Sequence, residues 1–357
     1  MKQEAISLFD GVRIGDLELG NRIVMAPMTR SRAGEGDAPT ALATEYYRQR
    51  AGAGLIVSEG AQPSPHGKGY CRTPGIYSAR QVTAWKQVTE AVHGGGGLIS
   101  LQITHGGRIG HPLNKEPGSE TLAPSAIQAN GQVFTDQEGM VDFAMPRALD
   151  LEEIPGVIEE FRQATQNALL AGFDAVELHS ASGYLPMQFL STGTNRRTDA
   201  YGGAVANRIR FVVEVLEAMA SVDGASRVGL RICPGTRFND ICDENPRETY
   251  TALLGAIGRM GLAYLHVIRS PDPEIDAFAM AREHFGGPLI VNDGFSFETG
   301  QEFVGSGRAD LVSYGRFFIS NPDLVRRFRE GAPLADFDRN TLYTPGPKGY
   351  IDYPALA

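Results

Sequence analysis

The chain has 357 residues, 42% of them hydrophobic and 21% charged, which is globular composition. At this length it buries a large core without disulfide or metal staples. Its formal charge of −9 argues against a nucleic-acid surface. No run of 18 apolar residues is present to span a membrane. Cys71, Cys233 and Cys242 form no C-x-x-C pattern, so neither a disulfide framework nor a zinc site is expected. The opening MKQEAISLFDGV has no apolar signal segment, and a cytoplasmic location is expected.

In chain order, VRIGDLELG (12–20) reads as a β-hairpin about Gly15–Asp16. RIVMAP (22–27), GLIVSEG (54–60) and GLISLQI (97–103) read as the first three strands of a sheet. AVELHS (175–180), VGLRICP (228–234), YLHVIRS (264–270), PLIVNDG (288–294) and LVSYGR (311–316) read as the next five. Most begin with continuous apolar runs, as parallel strands covered on both faces do. Amphipathic stretches at 77–93, 154–172 and 207–219 read as helices, several stopped by Gly.

This alternation predicts an α/β protein, a single (β/α)₈ TIM barrel over 1–357, with a doubly wound sheet as the alternative. The hairpin is expected to plug the N-terminal mouth. Residues 105–150 are too long for an ordinary loop after the third strand, and predict a β-rich capping insertion over the C-terminal face.

No G-x-S-x-G elbow, P-loop, H-E-x-x-H or EF-hand loop occurs. HGGGG (93–97) leaves a helix and enters a strand, the reverse of a dinucleotide fingerprint. The seven histidines show no metal-ligand spacing, so no metal is expected. VELHSASGYL (176–185) sets His179 three residues before Ser182, but no base–nucleophile–acid set completes a triad.

Chemistry in a barrel sits at the C-terminal strand ends, which here carry Thr29, Gly60, Gln102, His179, Arg231, Asp293–Gly294 and Gly315–Arg316. Facing carboxylates, a Schiff-base lysine and an acidic metal cluster are all missing from that set. Gly294 and Gly315–Arg316 follow strands 7 and 8, where barrels hold phosphate, and lead toward helices expected near Phe297 and Asn321. Gln102 and Arg231 match the polar edge of a pyrimidine ring. Flavin mononucleotide (FMN) fits this inventory better than a sugar phosphate. Taken singly, each residue has a plainer reading: Arg231 a core ion pair, Gln102 barrel filling, Thr29 a loop cap. Their joint placement at strand ends favours the ligand site.

At these residues the sequence resembles the old yellow enzyme family of FMN-dependent ene-reductases. The likeness rests on LFDGVRIGDLELGNRIVMAPMTRSRA, GLIVSEG, LHSASGYL with QFLSTGTNRRTDAYGG, YGRFFISNPDL and GYIDYP, and covers essentially the whole chain. It implies flavin contacts from Pro27, Met28, Thr29, Gly60, Gln102 and Arg231, and phosphate contacts from Asp293, Gly294, Phe295, Gly315 and Arg316. It implies a substrate pocket lined by Tyr70, Thr104, Phe238 and Tyr343 beside Tyr184. The implied chemistry is ping-pong: NADPH or NADH reduces FMN, then an α,β-unsaturated carbonyl takes the hydride on its β-carbon. Tyr184 delivers the proton, as a neutral phenol with an ordinary pKa of about 10 can.

Two positions depart from the family pattern. Relatives pair His179 with a His or Asn at the site of Ser182, and often carry Trp at the site of Thr104. Serine is a shorter donor and threonine a smaller wall, so a specialised, bulky substrate is expected. An FMN-dependent isomerase or desaturase is the alternative reaction. A small-molecule partner, with a monomer or homodimer, completes the expectation.

Overall fold

A computed structural model describes residues 6–357. All eight apolar runs form strands: β1 (Ile23–Met25), β2 (Leu55–Val57), β3 (Ile99–Ile103), β4 (Ala175–Ser180), β5 (Val228–Ile232), β6 (Tyr264–Ile268), β7 (Leu289–Asn292) and β8 (Leu311–Tyr314). Each pairs in parallel with the next, and β8 closes on β1, giving a barrel rather than an open sheet. Nearly every strand residue is buried, because the interior fills one face and helices cover the other.

The outer ring comprises α1 (Ala41–Arg48), α2 (Ala79–Gly94), α3 (Ile154–Leu170), α4 (Arg210–Asp223), α5 (Pro246–Ile257), α6 (Ala277–His284), α7 (Phe297–Gly305) and α8 (Leu324–Glu330). Local chemistry starts several of them. Ser78 and Gln81 form a reciprocal capping box on α2, and Pro155 sits in the first turn of α3. The helix expected at 207–219 divides into a short turn, Val205–Arg208, and α4.

The plug hairpin pairs Val12–Ile14 with Leu17–Leu19 about Gly15–Asp16. Gly15 has φ +52°, and a Cβ there would lie 2.0 Å from the Ser226 carbonyl oxygen, so only glycine fits. Ile14, Leu17 and Leu19 pack on Val24, Leu55, Tyr264, Ile290 and Leu311 at the barrel floor. Each such burial is worth about 1.5–3 kcal/mol.

At the other end, the 105–150 insertion carries an antiparallel hairpin (Gln132–Thr135 with Gly139–Asp142). A two-residue parallel pair, Leu122–Ala123 with Arg147–Ala148, joins it. Its own core, Ile109, Ala129, Val133 and Phe143, packs against Tyr70 and Tyr184. The C-terminal segment is strapped across the same face. Arg30 donates to the Gly349 carbonyl at 2.7 Å, and Arg32 donates to the Thr341 and Gly346 carbonyls at 2.8 and 2.9 Å. Both arginines are buried, so the strap is fixed from inside.

Candidate active site

Three adjoining cavities open at the C-terminal face, and Thr29 borders all of them. A long one of about 760 Å³ runs from Pro27, Met28 and Arg231 to Asp293, Gly294, Phe295, Gly315 and Arg316. An inner chamber of about 180 Å³ is walled by Gly60, Gln102, Thr104, His179, Ser182, Tyr184 and Tyr70. An outer vestibule of about 660 Å³ is faced by Phe134, Met140, Phe238 and Tyr343. Every residue picked out from the sequence therefore borders this connected space. Phe238 and Tyr343, 61% and 60% exposed, line the vestibule and not the inner chamber.

The helix expected near Asn321 is α8, which begins at Leu324, and a further short helix, Arg316–Ser320, starts directly after Gly315. Gly315 has helical backbone angles, so nothing delays the turn. The ring of Phe295 packs edge-on against Phe303 and at a tilt against Phe278, and is thus a member of an aromatic cluster at the cavity wall.

The barrel register assembles polar groups that come from separate strands. Gln102 pairs with Glu177, Arg231 with His266, and Asn292 with Ser313 as cross-strand neighbours. Gln102 Nε2 donates to Glu177 Oε1 at 2.7 Å, and Glu177 Oε2 meets His266 Nδ1 at 2.8 Å. His266 Nε2 meets Ser313 Oγ at 2.7 Å, and Arg231 donates to Asn292 Oδ1 at 2.8 Å. Burial, then the Arg231 cation, push His266 down to about 4, so it is neutral at pH 7. Burial alone would raise Glu177. His266 and Arg231 together with the Gln102 amide overcome it and hold the carboxyl below its ordinary range. With His266 neutral, Arg231 is the cation that balances Glu177.

Glu177, His266, Asn292 and Ser313 were not singled out by sequence reasoning. The signal was present: ionisable side chains inside continuously apolar strands are costly unless they pair. What the sequence lacks is the register that says with whom.

His179 stands at the end of β4. Its Nδ1 accepts the Ala181 N–H at 3.3 Å, so the neutral ring carries its proton on Nε2. Burial, then Arg231, hold it neutral, pushed down to about 3. The Tyr184 ring lies edge-on to it with centroids 4.8 Å apart. Burial raises the Tyr184 phenol well above its ordinary pKa, keeping it a neutral acid. Ser182 adopts φ +57°, a strained value for serine, and its carbonyl accepts Asn239 Nδ2 at 2.9 Å. Among the described residues, no group of three or more His, Cys, Asp or Glu is arranged to hold a metal ion.

The donor set fits a flavin. Gly60 is a cradle a side chain would fill, since a Cβ would lie 2.5 Å from Thr104 Oγ1. That oxygen is itself buried without a partner. Among the described residues no donor reaches Gln102 Oε1, which leaves it free for a ring N–H. Gly294, at φ +77°, turns the chain at the far end of the long cavity, next to Asp293, whose carboxylate meets the Arg316 guanidinium at 3.5 Å. A polar ring edge at Gln102 and Arg231 with an anion at Arg316 would suit the two ends of one flavin mononucleotide. Fold and site together define a flavin-dependent oxidoreductase.

Comparison with known proteins agrees. The model of the NADH:flavin oxidoreductase / NADH oxidase family matches residues 7–335. The chain is 42% identical to 12-oxophytodienoate reductase 1 of Oryza sativa subsp. japonica, over 99% of this chain and 94% of that protein. It is 41% identical to a probable flavin mononucleotide-dependent alkene reductase of Leishmania infantum, over 96% of each. The solved structure of morphinone reductase in complex with tetrahydroNAD superposes with a TM-score of 0.95 at 45% identity, covering 99% of this chain and 98% of that one. The chain belongs to the NADH:flavin oxidoreductase family, the old yellow enzyme family, and is an FMN-dependent oxidoreductase drawing on a nicotinamide reductant.

Proposed function

We propose that this protein reduces the activated C=C bond of α,β-unsaturated carbonyl compounds that carry a bulky apolar body. One observation carries the reading: a neutral His179 and a neutral Tyr184 face the same small chamber, which opens on a large apolar vestibule. Bound FMN supplies the hydride for the substrate β-carbon, after reduction by NADPH or NADH. Pro27, Met28, Thr29, Gly60, Gln102 and Arg231 would hold its ring, and Asp293, Gly294, Phe295, Gly315 and Arg316 its phosphate arm.

The remaining chemistry belongs to the chain. His179 Nε2–H donates to the substrate oxygen and stabilises the charge that gathers there. Ser182 offers a second, shorter donor. Tyr184 gives its phenol proton to the α-carbon. Thr104, Tyr70 and the vestibule residues Phe238 and Tyr343 shape the space for the substrate body. The unpaired thiols of Cys71, Cys233 and Cys242 favour a reducing, cytoplasmic compartment. Among the described residues, no helix is long and apolar enough to cross a membrane.

Steady-state NADPH and NADH oxidation with enones from small rings to polycycles tests this reading. Turnover that rises with the apolar body supports it, and no enone-dependent oxidation at all sinks it. Ser182 and Thr104 support a second reading, an isomerase or desaturase using Tyr184 as base. Product formed without net NAD(P)H consumption distinguishes that case.

A further inference from the structure

The loops after β4 and β5 meet beside Tyr184. Asn239 Nδ2 donates to the Ser182 carbonyl at 2.9 Å and to the Tyr70 hydroxyl oxygen at 3.2 Å. The Tyr184 hydroxyl donates to the Tyr70 oxygen at 3.5 Å, with the two rings edge-on at 6.3 Å. This arrangement is held against local strain. Asn239 and Asp240 adopt φ +59° and +58°. The buried Arg108 guanidinium pins them by donating to the Asp240 carbonyl at 2.5 Å and the Asn239 carbonyl at 3.4 Å. Gly183 leaves the room, since a Cβ there would come within 2.9 Å of Asn239 Cβ. Strain that the surroundings fix in place marks a position with a task.

We propose that Tyr70 relays a proton to Tyr184 and that Asn239 is the positioning residue that aims it. The inference rests on the enone-reduction reading above. Among the described residues, no cation and no other hydroxyl bonds the Tyr184 oxygen. A phenolate left there after proton transfer would be buried and unsupported, at considerable cost. At rest the Tyr184 hydroxyl donates to the Tyr70 oxygen. Once the Tyr184 proton has gone to substrate, the Tyr70 O–H turns to donate back, and the Asn239 N–H on the Tyr70 oxygen keeps that oxygen within reach. Tyr70 also borders the vestibule, where water can reload it.

The balance is closed. As the β-carbon gains hydride, the π pair forms the new bond between the α-carbon and the Tyr184 proton. The Tyr70 O–H proton passes to the Tyr184 oxygen, and a vestibule water restores Tyr70. Both phenols end neutral, and solvent has supplied one proton. Burial raises the Tyr70 phenol above its ordinary range, so it begins protonated. The 3.5 Å separation is of the kind that shortens when substrate is bound.

The test is single-turnover reoxidation of the reduced holoprotein by an enone in H₂O/D₂O mixtures. Two protons moving together predict a bowed dependence on deuterium fraction. Tyr70→Phe and Asn239→Ala should each slow reoxidation on the order of tenfold, the value of one hydrogen bond, and render the dependence linear. A merely structural role would not change that curvature. In a Tyr184→Phe background, adding Tyr70→Phe should slow the step no further. A linear dependence in the unaltered protein, or full additivity with Tyr184→Phe, overturns the relay alone. Failure of every enone to reoxidise the protein overturns the enone reading, and the relay with it.

Discussion

Glu177 Oε2 meets His266 Nδ1 at 2.8 Å deep inside the barrel, and both side chains are fully buried. Their contact links Gln102 to Arg231, since Gln102 hangs on one partner and Arg231 on the other. Glu177→Leu would leave Arg231 buried without a counter-charge. The expected loss is about 3–5 kcal/mol of folding stability, read by denaturant unfolding. Glu177→Gln preserves shape but not charge, and should weaken FMN binding by about tenfold, read by titrating apoprotein with FMN.

Much of this architecture was legible in the sequence because most barrel strands begin as apolar runs with polar or glycine residues at or just beyond their C-terminal ends. The run marks the buried strand, and its end marks the catalytic face. The hairpin and the cap were legible from a Gly–Asp turn and from an over-long loop. Two things were not. Glu177 and His266 each look like an anomaly within one strand, and only the inter-strand register makes them partners. Asn239 lies in a loop whose conformation depends on Arg108, supplied from a distant insertion. The extra short helix at Arg316–Ser320 was not foreseen, because the sequence does not say that Gly315 takes up helical angles.

Ser182 provides a gain-of-function prediction. Asparagine tolerates positive φ better than serine, so Ser182→Asn should fit the backbone at +57° without added strain. It also offers a longer donor toward the substrate oxygen. A missing oxyanion donor typically costs about 10²–10³ in rate. Part of that, at least about tenfold in kcat/KM on a small cyclic enone, should return in steady-state assays.

Thr104 should govern size selection. Thr104→Trp fills much of the inner chamber of about 180 Å³. The ratio of kcat/KM for small over polycyclic enones should rise by at least about tenfold, a shift of roughly 1.4 kcal/mol. An unchanged ratio would assign selection to the vestibule.

Acid stability follows from buried neutral histidines. Burial holds His105 well below its ordinary pKa, followed by the effects of Lys115 and His66. The unfolded chain takes up a proton near pH 6.5, whereas the folded one does not. Stability from this group is therefore complete above pH 6.5 and lost as pH falls below it. His105→Gln should flatten the pH dependence of unfolding free energy between pH 6.5 and 4.5 by about 1.4 kcal/mol per pH unit.

The central claim, that His179 and Tyr184 serve enone reduction in one chamber, is tested most directly by an anaerobic cycle. Yellow holoprotein should bleach with NADPH or NADH and recover its colour on addition of a bulky enone. In D₂O, the product should carry one solvent deuterium on its α-carbon. Bleaching without recovery across enones, nitroalkenes and maleimides would contradict the account.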